Sequence, residues 1–123
     1  MNSFGSHVYA RISHLKEFQT AIRHLDIKVD DDFRSLIVES LTALEMSDRE
    51  LGDALSVSRP TINRWSNGKN LPYNGLRQAV FGWIDRQVSK KIRIGASAVT
   101  AVSQSARPYE SIVYPIAAKG RER

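Results

Sequence analysis

The chain contains no cysteine among its 123 residues. Disulfide bonds and thiolate metal sites are therefore excluded, which agrees with a protein of the reducing cytoplasm. No apolar run approaches the length of a membrane-spanning helix, and the N-terminus lacks the basic-then-apolar layout of a signal peptide. These absences predict a cytoplasmic protein without a membrane partner.

Catalytic and cofactor motifs are missing as well. The sequence has no P-loop, no dinucleotide-binding glycine pattern, no metal-ligand cluster and no nucleophile–base pair at motif spacing. His14 and His24 lack a convincing carboxylate or third imidazole at ligand spacing, which favours ordinary surface or boundary histidines. We therefore expect a protein that is not an enzyme and that has neither a metal site nor a cofactor.

Acidic residues are scarce in one stretch of the chain. The net charge is +5, but residues 1–46 hold five Lys or Arg against seven Asp or Glu, whereas residues 47–123 hold thirteen against six. Between Arg59 and Arg93 there are eight basic residues and one acid, Asp85. A solvated basic surface that binds nothing is one explanation. Beside a DNA-binding motif, such charge favours contact with phosphates.

Two helix starts lie eleven residues apart between Ser47 and Leu71. Ser47 followed by Glu50 forms a capping box, in which each side chain binds a free backbone N–H at the helix entrance. Ser58 is a second N-cap candidate, since a proline two residues later is tolerated in a first helical turn. The apolar positions that follow these starts have helical spacing and are Leu51, Ala54, Leu55, Ile62 and Trp65.

The connection between these helices and the end of the second are also marked in the sequence. Ser56 and Val57 leave room only for a tight turn, and Gly68 is a natural left-handed helix stop. Two short helices joined in this way predict a helix-turn-helix, whose second helix enters the major groove of DNA.

Residues 55–72, LSVSRPTINRWSNGKNLP, resemble the recognition-helix segment of the Xre/Cro-repressor group, also called lambda-repressor-like domains. The resemblance covers residues 33–90 and is sharpest from 47 to 72. The family usually has alanine where Gly52 stands, glycine where Ser56 stands, and glutamate where Ser66 stands. The resemblance implies a sequence-specific regulator of transcription that binds double-stranded DNA, most often as a repressor.

Side-chain roles follow from the same resemblance. It implies that the base contacts come from Arg59, Pro60, Asn63 and Arg64. Arginine suits guanine and asparagine suits adenine, because each offers a matching bidentate edge. Our candidates for phosphate contacts are Arg49, Ser58, Thr61, Asn67 and Lys69. We further expect a homodimer on DNA, because a two-fold pair contacts two half-sites.

Helical periodicity also marks the flanking segments. It predicts a helix from Tyr9 to Leu25, one from Asp31 to Met46 and one from Asn74 to about Lys90. The first has a seam that can pack on its own domain or on a second copy of the chain. The apolar positions of these helices are Ile12, Leu15, Phe18, Ile22 and Leu25, then Phe33, Leu36, Ile37, Leu41 and Leu44, then Leu76, Val80, Trp83, Ile84 and Val88.

Two other features have more than one interpretation. Asp30, Asp31 and Asp32 precede an apolar-periodic stretch, so we interpret them as capping and helix-dipole partners instead of a cation site. Trp65 and Trp83 lie on apolar faces, which predicts core residues before base-stacking platforms.

The sequence thus predicts an all-α fold, a compact helical bundle that contains a helix-turn-helix. Its expected divisions are an N-terminal helix with a connection (1–30), a DNA-binding domain (31–91) and a C-terminal tail (92–123) of unspecified structure. Strand character at 111–116 is interrupted by Pro115. A protein-interaction adaptor, such as an antitoxin, stays open as an alternative, with the N-terminal helix or the tail binding a protein partner.

Overall fold

The computed structural model describes the backbone of residues 3–105 and the side chains of residues 9–98. This part of the chain contains five helices and no strand, which confirms the all-α class. The helices are α1 (Ser3–Arg23), α2 (Asp30–Ala43), α3 (Asp48–Leu55), α4 (Arg59–Ser66) and α5 (Asn74–Ser105). None of them is long and apolar enough to span a membrane. The strand character predicted at 111–116 lies outside the described residues.

Helix α2 is the centre of the fold. It contacts α1, α4 and α5, and its Phe33, Leu36 and Ile37 are completely buried. These apolar residues recur at spacings of three and four, so one face of the helix is removed from water. Burial of each such side chain contributes about 1.5–3 kcal/mol to folding. The packing of α2 therefore determines where the shorter helices can lie.

The three aspartates at the start of α2 do not cap the helix, although the sequence predicted that they would. They occupy the first turn, where negative charge complements the helix dipole, but none is the N-cap. The N-cap residue is Val29, which makes no side-chain capping bond. Asp32 instead accepts a hydrogen bond from the Asp26 N–H at 2.8 Å, and Asp30 pairs with Arg77. One carboxylate thus binds the connection before the helix and another binds a distant arginine, and neither caps α2.

Helix α1 packs against α5 of the same chain. Leu15 and Ile22 of its apolar seam belong to the common core. The Gln19 side-chain amide donates to Ser89 Oγ at 2.7 Å, and the Arg23 guanidinium donates to both carboxylate oxygens of Asp85 at 2.9 and 3.0 Å. The hydrogen bond from Arg23 holds the pKa of Asp85 below its ordinary value. Of the two arrangements predicted for the α1 seam, the structure has the intrachain one.

The outer helices have different ends from those predicted. Helix α1 begins at Ser3 instead of Tyr9 and ends at Arg23. Helix α5 continues to Ser105, well past the expected end near Lys90, and crosses the predicted boundary between 91 and 92. Residues 92–105 contain no proline, so nothing in them interrupts an existing helix even without a strong apolar period.

Arg77 of α5 is buried, with 9% of its surface exposed. Its guanidinium donates to three carbonyls, those of Pro72 (2.7 Å), Ile27 (3.0 Å) and Lys28 (3.2 Å), and to the Asp30 carboxylate at 3.0 Å. It also lies over the Phe33 ring, 5.4 Å from the centroid. Arg77 therefore fastens the start of α5 to the α1–α2 connection. It is not part of the exposed basic surface to which the sequence assigned it.

Candidate nucleic-acid interface

Helix α3 begins with the predicted capping box. Ser47 Oγ accepts from the Glu50 N–H at 3.1 Å, and the Ser47 N–H donates to Glu50 Oε1 at 2.9 Å. Leu51 is completely buried one residue later. Arg49, a candidate phosphate contact, is exposed in the first turn of the helix. The cap thus determines where α3 begins, and the burial of Leu51 determines which face of α3 is exposed.

The connection from α3 to α4 is held close to α3 at Gly52. A Cβ atom at this position would lie only 2.7 Å from the Val57 carbonyl oxygen. The Val57 N–H bonds to the Gly52 carbonyl at 2.9 Å, and the Ser56 N–H bonds to the Asp53 carbonyl at 3.3 Å, as in a Schellman turn. Glycine at 52 therefore permits a close contact between α3 and the turn that follows it.

Ser56 occupies the left-handed position of this turn, with φ 61° and ψ 37°. Such a conformation costs a non-glycine residue about 1–2 kcal/mol. The equivalent position after α4 is Gly68, with φ 75°, as the sequence predicted for the helix stop. The two turns thus have the same backbone geometry, but only the second has the residue that adopts it without strain.

We expect Ser56→Gly to stabilise the protein by about 1 kcal/mol, because glycine relieves the left-handed strain at the turn. Urea denaturation measures the change. Ser56→Ala is the matched control, since it removes the hydroxyl group but keeps a Cβ atom. Equal midpoints for the glycine and alanine variants would contradict the strain argument.

Helix α4 begins at a polar cap of two side chains. Ser58 Oγ accepts from the Thr61 N–H at 3.2 Å and lies 2.7 Å from Thr61 Oγ1. Pro60 stands in the first turn, where its missing N–H costs nothing. Ser58 and Thr61 were predicted as phosphate contacts, and their hydroxyl groups are paired with each other in this structure. One hydrogen of the pair remains available to an outside acceptor.

The two faces of α4 divide as the periodicity predicted. Ile62 is completely buried and Trp65 is 3% exposed, with its ring edge-on to Phe33 at a centroid distance of 5.7 Å. The side chains predicted to contact bases are all exposed, namely those of Arg59, Pro60, Asn63 and Arg64. The core therefore holds one face of the helix and presents the other to solvent.

At the end of α4, the side chain of Asn67 is hydrogen-bonded to Asn63. Asn67 Nδ2 donates to the Asn63 carbonyl at 2.9 Å and lies 3.4 Å from Asn63 Oδ1. Asn67 was predicted to contact phosphate, but its amide hydrogens point at its own helix. Lys69, the next candidate, is exposed beyond Gly68, and its N–H bonds to the Arg64 carbonyl at 2.8 Å.

Sequence reasoning missed Arg34, which approaches this end of α4 from α2. Its Cδ atom lies 3.4 Å from the point that a Cβ atom of Gly68 would occupy. Arg34 is half-buried, and the aliphatic part of its side chain lies against Gly68, next to Lys69 in the chain. No local signal indicates this contact, because the two residues are 34 positions apart in the chain.

Seven of the eight basic residues between Arg59 and Arg93 are exposed, and Arg77 is the exception. Exposed cations on and after α4 are Arg59, Arg64 and Lys69, and no acidic residue occurs from 59 to 84. On the outer part of α5, Arg86, Lys90, Lys91 and Arg93 are exposed. No group of three His, Cys, Asp or Glu side chains in the described part of the chain is arranged to hold a metal ion. His14 and His24 are both exposed.

Comparison of the chain with protein-family models, with curated proteins and with solved structures finds no significant match.

Proposed function

We propose that the chain is a sequence-specific regulator of transcription that binds double-stranded DNA and acts as a repressor, with α3 and α4 as its helix-turn-helix. One observation carries the proposal. Helix α4 is anchored by completely buried Ile62 and nearly buried Trp65, while its opposite face exposes two arginines and an asparagine. This combination suits a helix that enters the major groove from a rigid core.

The exposed side chains have the chemistry that base recognition requires. Arg59 and Arg64 each offer a planar guanidinium to guanine O6 and N7, and Asn63 offers an amide to adenine N6 and N7. Arg59 and Asn63 are one helical turn apart and thus share a face. Arg49 and Lys69 are exposed on either side of this helix in the chain, which supports contacts of both with phosphates.

Binding of two copies follows from the small size of one such unit. A single recognition helix contacts one short half-site, whereas a dimer contacts two half-sites about 34 Å apart or at another spacing set by its own geometry. The apolar seam of α1 is used within the chain, so the dimer needs other surfaces. Tyr9 on α1 and Ile94 on α5 are 67% and 58% exposed and are our candidates for it.

We expect the protein to bind its operator as a homodimer in the cytoplasm. Light scattering with and without DNA measures the number of chains in the complex. DNA from upstream of the protein's own gene is the first source in which to find the site. One chain bound to one non-palindromic site would contradict the dimer without contradicting DNA binding.

Base contacts and phosphate contacts should respond differently to mutation. Arg59→Ala or Arg64→Ala is expected to cost about 1–3 kcal/mol on the operator and to relax preference at one base position. Lys69→Ala should weaken binding to operator and random DNA alike and reduce the magnitude of the salt slope by about one unit. A salt series on both DNAs with each variant measures these effects.

Lys16→Ala is the matched control for this series, because Lys16 is exposed on α1 and its removal changes the net charge equally. It should leave both affinities nearly unchanged. Selective loss of operator binding in Lys69→Ala, together with uniform weakening in the arginine variants, would reverse our assignment of the two roles. Wild-type protein that binds no DNA at low salt would overturn the proposed function itself.

A further inference from the structure

A groove of about 580 Å³ lies between α1 and α2. Apolar side chains form much of its wall, among them Leu15 and Phe18 of α1 and Val38 of α2. Val38 is 38% exposed, although it belongs to the central helix of the fold. Apolar surface that is open to water in this way is a common feature of binding sites.

The rim of this groove is acidic. Among the described residues that line it, Glu39 and Glu45 are acidic, and Arg11 forms an ion pair with Glu45. These three side chains together carry one more negative than positive charge. A matching occupant presents an apolar segment and, next to it, positive charge.

The chain itself contains such a segment after Ser105. Ile112, Tyr114 and Ile116 alternate with other residues. Three cations follow at Lys119, Arg121 and Arg123, with one acid, Glu122, among them. A proline at 115 disfavours helical backbone at the residue before it, and in an extended chain the three alternate side chains share one face.

The lengths of the groove and the segment agree. Four steps of extended chain from residue 112 to residue 116 span about 13 Å. On α1 the groove extends from Ala10 to Phe18, which corresponds to about 12 Å of helix.

The course of α5 takes the chain past Arg11, at one end of this groove. Arg23 contacts Asp85, Gln19 contacts Ser89, and Arg11 borders a second small cleft together with Ala98, so α5 runs antiparallel to α1. Arg11 also lines the α1–α2 groove. Ser105 follows Ala98 by seven residues, or about 10 Å of helix. The six residues 106–111 reach about 20 Å when extended, which is enough to return.

We propose that residues 112–118 bind in the α1–α2 groove of the same molecule. Ile112, Tyr114 and Ile116 cover the apolar wall, and the following cations lie near the acidic rim. This intramolecular contact removes exposed apolar surface from water and connects the tail to the central helix. It does not depend on DNA binding, so its failure and the failure of the proposed function are separate results.

Chemical crosslinking in the full-length protein tests the contact, since the natural chain has no cysteine. One variant combines Thr42→Cys, exposed in the groove, with Ala117→Cys. The control variant combines Ser97→Cys with Ala117→Cys. Ser97 is exposed, is not among the residues that line the groove and is closer than Thr42 to residue 117 in sequence. With a short bismaleimide, we expect intrachain crosslinks to form about tenfold faster in the groove variant.

Addition of Ile112→Asp and Ile116→Asp to the groove variant should reduce its crosslinking rate to that of the control. Circular dichroism shows whether the wild-type protein and these three variants have the same helix content. Equal rates in the groove and control variants would overturn the proposal. Crosslinks between molecules, at a rate that rises with protein concentration, would also overturn it and assign the groove to the tail of a second copy.

Discussion

Replacement of Trp65 by alanine is expected to lower the free energy of unfolding by about 3–5 kcal/mol, because the lost ring leaves a cavity between α4 and the central helix. Trp65 is 3% exposed, and its ring lies edge-on to Phe33 at a centroid distance of 5.7 Å. Nearly all of the ring surface therefore contacts protein and not water. For a small domain, whose total stability is commonly about 5–15 kcal/mol, this is a large share.

Urea denaturation followed by circular dichroism measures the loss without reliance on tryptophan fluorescence, which the substitution changes. Trp83→Ala is the matched control, since Trp83 is only half-buried on α5, and it should cost about 1–2 kcal/mol. If Trp65 instead stacked on DNA bases, Trp65→Ala would melt near the wild-type protein and bind DNA poorly. Denaturation and DNA-binding curves on the same sample separate these outcomes.

Replacement of Arg77 by methionine should cost about 2–4 kcal/mol, since a buried guanidinium that bridges two distant segments is lost. Three of its four hydrogen-bond acceptors are backbone carbonyls of the α1–α2 connection and of the turn before α5. Methionine preserves contact with Phe33 but leaves those carbonyls without this donor. The expected loss therefore comes from unpaired polar groups and not from a cavity.

Two further variants show which contacts of Arg77 account for the expected loss of stability. Arg86→Met removes an exposed arginine from the same helix and should change stability by no more than about 0.5 kcal/mol. Asp30→Ala removes only the carboxylate partner, whose side chain is 76% exposed, and should cost at most about 1 kcal/mol. A loss in Asp30→Ala as large as that in Arg77→Met would identify the ion pair, instead of the carbonyl contacts, as the main contribution.

Features of the candidate interface that depend on neighbouring residues were predictable. The Ser47 capping box, the Ser58 cap and the Gly68 stop each satisfy backbone groups within a few positions, so their signals are complete within one short segment. The burial of Ile62 and Trp65 followed from helical spacing alone, and with it the exposure of the opposite face.

Lengths of helices were less predictable, because periodicity reports a buried face and not helix formation itself. Helix α5 continues through residues 92–105, where no proline interrupts it and no clear apolar stripe marks it. Likewise, the aspartates of the first turn of α2 have the composition of a cap, but Asp32 accepts from the Asp26 N–H and Asp30 pairs with Arg77. A capping pattern and a tertiary ion pair require the same residue types.

Amino-acid sequence alone determined the helical class, the sites at which α3 and α4 begin, and the face that α4 presents to solvent. Tertiary structure decided that Arg77 is buried, that Arg34 crosses Gly68 and that the α1 seam packs on α5 of its own chain. Apart from the hydrogen bond between Arg77 and Pro72, these contacts join residues more than 30 positions apart. Local propensity and spacing carry no information about such pairs, since their geometry exists only after the helices have packed around α2.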